Sequence, residues 1–213
     1  MPGLSLWLSP PAGSSIESIL TDLISSLSDS VVAIAPAPSD SSVPITPPHF
    51  KPHITITSNI PTTTDPDSVV AYAASLFSPS SSSPSSPRLR IEVTGVDFGP
   101  AYFKKIFLRI LKAPDLVLLA RSVRERFVCP YQTDPRAVAR PDQVAAEWAE
   151  QEYDPHISLA YIDQWPLTDK QIELSEKLVA EAVKEKVWHG GRIALYETQG
   201  PAEQWKMLAF RDV

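Results

Sequence analysis

Apolar and polar side chains alternate along several short stretches of the chain, with the period of two that is typical of half-buried β-strands. In the first stretch, Leu4, Leu6 and Leu8 point one way while Ser5 and Trp7 point the other. The same pattern predicts about seven strands in all, at residues 4–9, 53–57, 89–94, 102–111, 156–161, 192–198 and 205–210.

Helices are predicted between these strands, where apolar residues recur every three or four positions. The clearest helix follows Ser14, which forms a capping-box pattern with Glu17 three residues later, and its apolar face runs from Ile16 to Leu27. The other helices are predicted at residues 65–77, 114–126, 142–151 and 168–187, the last of them opened by a second capping box, Thr168 with Gln171.

The mixed order of strands and helices predicts an α+β protein whose sheets are mainly antiparallel. A parallel doubly wound fold fits less well, because no glycine-rich phosphate-binding loop follows any strand. The length of 213 residues suits a single domain over residues 1–213. Two proline- and serine-rich stretches, at about residues 36–48 and 78–87, have few apolar side chains and are predicted to be mobile loops.

The net charge limits the ligands that the protein can bind. Lys and Arg total 19 against 25 Asp and Glu, which leaves a formal charge of −6 and no large basic surface for a long nucleic acid. Any nucleotide ligand is therefore predicted to be small. The single cysteine and the lack of a signal-peptide or membrane-span pattern predict an intracellular protein, most simply cytoplasmic, with peripheral association with the Golgi left open. A monomer is expected, because a cleft between two lobes of one chain needs no second chain.

One five-residue segment occurs twice, about half the chain apart. Residues 52–56 read PHITI and residues 155–159 read PHISL, so that Thr55 follows His53 and Ser158 follows His156 at the same spacing. Residues i and i+2 of a strand share a face, so each segment presents an imidazole beside a hydroxyl. If the two segments face each other about a pseudo-twofold axis, these four side chains converge on one point.

Two imidazoles and two hydroxyls at one point suit the hydrolysis of a phosphodiester without a metal. A neutral imidazole can take a proton from water while an imidazolium gives one to the leaving oxygen, and the hydroxyls can hydrogen-bond phosphate oxygens. Histidine suits both proton-transfer roles because its ordinary pKa of about 6.5 lies near the working pH. His49 cannot share a helix with His53, since Pro52 interrupts it, so neither a metal nor another cofactor is predicted.

These segments resemble the duplicated H-x-[ST]-x motif of the two-histidine (2H) phosphoesterases. Residues 50–55 (FKPHIT) are similar to the first family motif and residues 153–159 (YDPHISL) to the second. Residues 102–116 and the LWL of residues 6–8 are similar to parts of the fungal and plant cyclic nucleotide phosphodiesterases of that superfamily. The resemblance spans nearly the whole chain.

The resemblance implies a bilobal fold, in which two pseudo-symmetric sheets line a central cleft and helices lie outside. It implies hydrolysis of 2',3'-cyclic nucleotides to nucleoside 2'-phosphates, and of ADP-ribose 1'',2''-cyclic phosphate, a product of tRNA splicing chemistry, to the 1''-phosphate. His53 and His156 would be the catalytic pair, and Thr55 and Ser158 would hold the phosphate. We assign His156 as the base and His53 as the acid, and the near symmetry of the two motifs leaves the reverse order open.

The resemblance also gives Tyr161 a contact with the substrate. Strict alternation puts Tyr161 on the opposite strand face from His156, so this role requires a strand end or a bulge. Trp7, on the polar face of its strand, is the first candidate for stacking on a nucleobase, ahead of Tyr102, Phe103 and Tyr131, and core packing is the alternative for each.

Two other functions stay open at this point. One is action on RNA ends or 2',5'-linked oligonucleotides, and the charge of −6 argues against it because a longer ligand needs a basic groove. The other is nucleotide binding without catalysis. The two intact pairs of histidine and hydroxyl argue against it, because binding alone needs no proton-transfer groups.

Overall fold

Eight strands and six helices form the regular structure of residues 3–34, 48–77, 89–163 and 165–213, the part of the chain that this computed structural model describes. The strands are β1 Leu4–Ser9, β2 Ile54–Ile60, β3 Arg90–Phe98, β4 Ile106–Ile110, β5 His156–Ala160, β6 Val187–His189, β7 Arg192–Glu197 and β8 Lys206–Asp212. The helices are α1 Ser15–Ala33, α2 Pro66–Ser75, α3 Pro114–Phe127, α4 Pro135–Ala139, α5 Pro141–Gln151 and α6 Asp169–Ala182. Apart from Pro48, the two stretches predicted to be mobile lie outside the described residues.

Three features of the chain differ from the sequence-based expectation. The strand predicted from residue 102 begins only at Ile106, because residues 102–104 form a 3₁₀ turn and the N–H of Gly99 donates to the Lys105 carbonyl at 3.1 Å across it. The last helix ends at Ala182, and residues 187–189 form an eighth strand that pairs with β3. The short helix α4, capped by the Asp134 side chain, was not predicted.

Both predicted capping boxes open their helices. Thr168 and Gln171 form the complete reciprocal box at the start of α6. At the start of α1, the Ser14 hydroxyl accepts from the Glu17 N–H at 3.3 Å, while the Glu17 carboxylate accepts from the N–H of Gly13. A cap of this kind contributes about 1 kcal/mol to the stability of a helix, because it satisfies a backbone N–H that has no partner within the helix.

The eight strands form one hydrogen-bonded sheet in the order β6-β3-β4-β5-β2-β1-β7-β8, and every neighbouring pair is antiparallel. This corrects the expectation of two separate sheets. Four strands lie on each side of the contact between β2 and β5, which is registered at a single residue pair, Ile54 with Ile157. The two halves are therefore continuous through the middle of the repeated segments.

The apolar face of the central strands is the one that the alternation predicts. Leu6, Ile54 and Ile157 are completely buried, in the same cluster as Leu20 and Ile24 of α1. Burying a side chain of this size contributes about 1.5–3 kcal/mol. The opposite, polar face of β1, β2 and β5 is turned away from this cluster, and it carries the repeated histidines and hydroxyls.

No helix in the described residues combines the length and the apolar character needed to cross a bilayer.

Candidate active site

A cavity of about 460 Å³ opens over the polar face of the central strands. It draws its walls from β1, β2 and β5 and from the 3₁₀ turns before β4 and β8. All six residues that the sequence singled out for the site line it: Trp7, His53, Thr55, His156, Ser158 and Tyr161.

The register of the two central strands explains why the repeated segments meet. Ile54 of β2 lies opposite Ile157 of the antiparallel strand β5. One step along that register to either side sets His53 across from Ser158 and His156 across from Thr55. Each imidazole therefore faces the hydroxyl of the other segment, which is the pseudo-twofold arrangement that the sequence predicts.

His53 is the more buried of the two imidazoles. Its side chain stacks on the Trp7 ring with centroids 3.6 Å apart, and its Nδ1 lies 2.6 Å from the Lys51 carbonyl oxygen. A carbonyl oxygen only accepts, so Nδ1 carries the proton in this contact and Nε2 is the nitrogen left for the cavity. Burial lowers the pKa of His53 to about 4, the Lys51 carbonyl opposes that shift, and the nearby His156 adds to it.

His156 has the same local geometry in a more open position. Its Nδ1 lies 2.8 Å from the Asp154 carbonyl oxygen, again two residues earlier in the chain, and its ring meets the edge of Phe107. Burial lowers its pKa, and the charge of Lys104 adds to the shift, while the Asp154 carbonyl and carboxylate oppose it. The two histidines therefore share the same tautomer, with the proton on Nδ1 and with Nε2 free of the backbone contact.

These lowered pKa values predict a mildly acidic optimum of kcat/KM. If the two imidazoles share the proton transfers as the sequence predicts, the free protein must hold one proton on the pair, so that one imidazole accepts a proton while the other gives one. The pKa of His53 is about 4 and that of His156 lies below its usual value of 6.5. The singly protonated pair is therefore most populated between about pH 4 and the lowered pKa of His156, and above that pKa kcat/KM falls about tenfold per pH unit.

The profile is measured from pH 4 to 9 at constant ionic strength, with the fold followed by circular dichroism. That control is needed because both folded pKa values lie below the unfolded value of about 6.5. The unfolded chain then binds more protons as the pH falls, so the stability that these histidines contribute is present above pH 6.5 and is lost toward pH 4. A kcat/KM optimum above pH 7.5 contradicts the lowered pKa values of His53 and His156.

The two hydroxyls of the repeat differ in their present partners. Thr55 is half-buried in the cavity wall. The Ser158 hydroxyl donates to the Phe103 carbonyl at 2.6 Å. Ser158 therefore presents an acceptor to the cavity, and it donates to a phosphate only after releasing the Phe103 carbonyl.

Tyr161 reaches the cavity because β5 ends just before it. The strand stops at Ala160, which is the strand end that a role for Tyr161 requires. The phenol ring is 3% exposed and stacks on Phe50 at 3.8 Å. Burial raises the pKa of Tyr161, so its hydroxyl stays protonated and can donate to a ligand.

Trp7 lines the cavity but presents little ring face to it. One face stacks on His53 and the other on Tyr196, at 4.0 Å, and Trp205 meets its edge at 5.4 Å. Only 4% of the side chain is exposed. The observed contact of Trp7 is with the imidazole of His53, which it holds against the wall.

Several residues of the cavity wall were not predicted from the sequence. Trp205 lines the rim, and at Ser58 and Asn59 the register between β1 and β2 shifts. Asn59 has a left-handed backbone, with φ 66°, and a Cβ on Gly3 would lie only 2.8 Å from the Asn59 Cα. The only local signal is that asparagine and glycine tolerate such tight backbone positions.

The polar groups of the cavity do not form an obvious metal cage. Within the described residues, no three His, Cys, Asp or Glu side chains lie close enough together to hold an ion. The carboxylate of Asp154 pairs with Lys104. Whether the reaction needs a metal is decided by the chelator experiment below.

Comparison with known proteins gives the class of this site. The family model described as "Cyclic phosphodiesterase-like protein" matches residues 1–213. A protein from Yarrowia lipolytica is 34% identical over 236 residues, with 99% of each chain covered, and proteins from Candida albicans and Neurospora crassa are 26% and 28% identical, again with 99% of each chain covered. All three are named 2',3'-cyclic-nucleotide 3'-phosphodiesterase.

The fold and the site thus define a phosphodiesterase of the two-histidine type. The chain belongs to the cyclic phosphodiesterase-like family.

Proposed function

We propose that this protein hydrolyses 2',3'-cyclic nucleotides to nucleoside 2'-phosphates, without a metal, by cleaving the bond between phosphorus and O3'. The observation that carries the proposal is the convergence of both repeats on one cavity, with the Nδ1 of each histidine bound to a backbone carbonyl. The names of the fungal relatives support the substrate class. ADP-ribose 1'',2''-cyclic phosphate, opened to the 1''-phosphate in tRNA splicing metabolism, is a second proposed substrate.

The proposed reaction moves one proton onto the site and one off it. Nε2 of His156 takes a proton from water as the water oxygen attacks phosphorus. Nε2 of His53 gives its proton to O3' as the P–O3' bond breaks, which leaves the 2'-phosphate and a free 3'-hydroxyl. His156 is the more exposed imidazole, so it is the one that meets water from bulk solvent.

In the proposed roles the proton of the pair must lie on His53 when the reaction begins, whereas in the empty cavity the burial of His53 disfavours it there, so the bound substrate has to move the proton to His53. His53 is neutral in the empty cavity, because burial holds its pKa at about 4. A phosphate anion beside the imidazole favours its charged form and raises that pKa. A proton held in this way is readily given up as the leaving oxygen develops negative charge, and the hydroxyls of Thr55 and Ser158 hold the equatorial oxygens meanwhile.

The aromatic rim offers a place for the nucleobase. Phe103 is 54% exposed, and its ring centroid lies 6.1 Å from that of Trp205 across the mouth of the cavity. Both rings line the cavity. We propose that the base stacks here rather than on Trp7, both of whose ring faces are covered.

That the protein is a monomer stays a prediction from the sequence. The cytoplasmic location and the peripheral association with the Golgi stay predictions from the sequence.

The proposed function is tested by incubating the protein with 2',3'-cyclic AMP in excess EDTA and separating the two possible adenosine monophosphates. The expected product is adenosine 2'-phosphate alone, formed at the same rate as without chelator. The matched control is the His53→Ala, His156→Ala double variant prepared identically, which excludes a contaminating enzyme. Formation of adenosine 3'-phosphate, or loss of activity in EDTA, contradicts the proposal.

A further inference from the structure

Lys104 is the one permanent cation on the wall of the cavity over the central strands, which we call the histidine cavity. Among the described residues that line it, His53, His156 and Lys104 are the only side chains that can carry a positive charge, and no carboxylate lines it. Burial lowers the pKa of both histidines, so at pH 7 the ammonium of Lys104 is the full positive charge of this wall. In a protein of formal charge −6, a phosphate anion needs such a local partner.

The ammonium lies on the same side of the cavity as His156. Nζ of Lys104 lies 4.6 Å from the centroid of the Phe107 ring, and that ring meets the imidazole of His156 with centroids 5.5 Å apart. The charge of Lys104 lowers the pKa of His156, as expected of a cation close to the imidazole. The cation is therefore placed where the proposed base activates water.

The backbone of Lys104 is fixed by the short turn that carries it. Residues 102–104 form a 3₁₀ turn, in which the Lys104 N–H donates to the Ala101 carbonyl at 3.0 Å. The neighbouring Lys105 is 1% exposed, and its ammonium donates to the Pro100 carbonyl at 2.7 Å. Because these bonds hold the turn, only the side chain of Lys104 has to move to reach a ligand.

In the empty cavity the ammonium is held by an acceptor that lies outside the cavity wall. Nζ of Lys104 pairs with the carboxylate of Asp154, whose side chain is 65% exposed and does not line the histidine cavity. An ion pair this open to water contributes little stability, so another anion can replace the carboxylate. Ser158 is held in a similar way, since its hydroxyl donates to the Phe103 carbonyl of the same turn. Both donors thus have protein acceptors until a phosphate enters.

We propose that Lys104 is a catalytic residue, whose ammonium leaves Asp154 when the substrate binds and donates to a non-bridging oxygen of the cyclic phosphate. This inference rests on the proposed function, because that phosphate must lie between His53 and His156. As water attacks, phosphorus gains a fifth oxygen and its non-bridging oxygens gain negative charge. A cation beside them stabilises this state more than it stabilises the bound substrate. Lys104 transfers no proton and keeps its charge throughout.

Binding is tested by titration calorimetry at pH 7 with adenosine 2'-phosphate, the proposed product. Lys104→Met is expected to raise the Kd about tenfold or more, because hydrogen bonds between charged groups contribute that much to binding. Lys104→Arg keeps the charge and is expected to keep most of the affinity. The matched control is Lys112→Met, which removes an exposed lysine that does not line the cavity and donates to the Glu150 carbonyl, and it is expected to keep the wild-type Kd.

Asp154→Asn distinguishes phosphate binding from a purely structural ion pair. If the pair only braced the turn, removal of either partner would weaken binding alike. If the ammonium has to leave Asp154, the substitution releases it and is expected to lower the Kd for adenosine 2'-phosphate severalfold. The backbone carbonyl of Asp154, which holds Nδ1 of His156, is retained in this variant. Lys104→Met and Asp154→Asn are therefore expected to change the affinity in opposite directions.

The kinetic test is kcat/KM for 2',3'-cyclic AMP, which is expected to fall about 10²-fold in Lys104→Met, the size of effect that a group stabilising transition-state charge has on the rate. Each variant is measured at its own pH optimum, because loss of the ammonium also raises the pKa of His156. A loss at pH 7 that is fully recovered at the optimum would show that Lys104 acts only through His156, which contradicts the inference.

The outcomes keep this inference apart from the proposed function. If the wild-type protein hydrolyses 2',3'-cyclic AMP while Lys104→Met binds adenosine 2'-phosphate as tightly as wild type, or while Asp154→Asn weakens binding as much as Lys104→Met does, Lys104 is not a phosphate ligand and the cyclic phosphodiesterase stands. If the wild-type protein hydrolyses no cyclic nucleotide, the proposed function itself is wrong.

Discussion

His53→Ala and His156→Ala are each expected to lower kcat for 2',3'-cyclic AMP by about 10² to 10⁴, the range in which a positioned acid or base contributes to catalysis. Neither histidine can take over the work of the other, because each Nδ1 is held by the backbone carbonyl two residues earlier. A single ring thus has one nitrogen for the cavity, while the reaction needs an acceptor on one side of phosphorus and a donor on the other.

The chain supplies its own matched controls for these variants. It has four histidines, and the other two, His49 and His189, are exposed and do not line the cavity. His49→Ala and His189→Ala are expected to keep wild-type kcat. Because His53→Ala also removes the stack on Trp7, His53→Gln, which is closer in size and keeps a donor, checks that the loss is chemical.

A double variant gives a further check on the same prediction. When two groups act in the same step, removing either one already abolishes most of the rate enhancement that they give together. The double variant is therefore expected to have a kcat only a little below that of the slower single variant. Wild-type kcat in either single cavity variant, or equal losses in all four single variants to alanine, contradicts the roles given to His53 and His156.

The arrangement of the site residues could be predicted from the sequence because the pattern is repeated and local. Within each segment the pairing of an imidazole with a hydroxyl depends only on strand alternation, and the buried isoleucine between them fixes which face is polar. Ile54 and Ile157 are both completely buried, and they pair with each other. The same apolar residues that mark the strands thus bring the two histidines to one cavity.

The position of Tyr161 could not be predicted from strand alternation alone. Alternation alone puts it on the wrong face, and only the end of β5 at Ala160 frees the backbone to turn the ring into the cavity. Strand ends are set by the pairing partner rather than by the strand's own residues. The sequence could therefore predict that Tyr161 reaches the cavity only if the strand ends before it, and the structure was needed to show that β5 ends at Ala160.

Features that depend on distant parts of the chain could not be predicted in the same way. The continuity of the sheet through β2 and β5, the edge strand β6 and the place of Trp205 at the rim all involve residues far apart in sequence. The Trp7 ring that covers His53 lies on β1, the Tyr196 ring behind it lies on β7, and no pattern near residue 53 predicts either of them.

The division of roles between the two histidines is tested most sharply with a changed leaving group. In an analogue of 2',3'-cyclic AMP whose bridging 3'-oxygen is replaced by sulfur, the leaving group is a thiolate. A thiol has a pKa near 8.5, far below that of an alcohol, so it departs without being protonated by an acid. Removal of the acid then costs little, while removal of the base costs as much as before.

The decisive measurement is kcat for this analogue and for the oxygen compound in His53→Ala and His156→Ala. Sulfur is expected to restore kcat of His53→Ala about 10²-fold or more relative to wild type and to leave His156→Ala impaired, since an acid or base contributes that much to the rate. Restoration of His156→Ala instead would reverse the two roles. Restoration of both variants, or of neither, would contradict the claim that two imidazoles divide the proton transfers across one phosphorus atom.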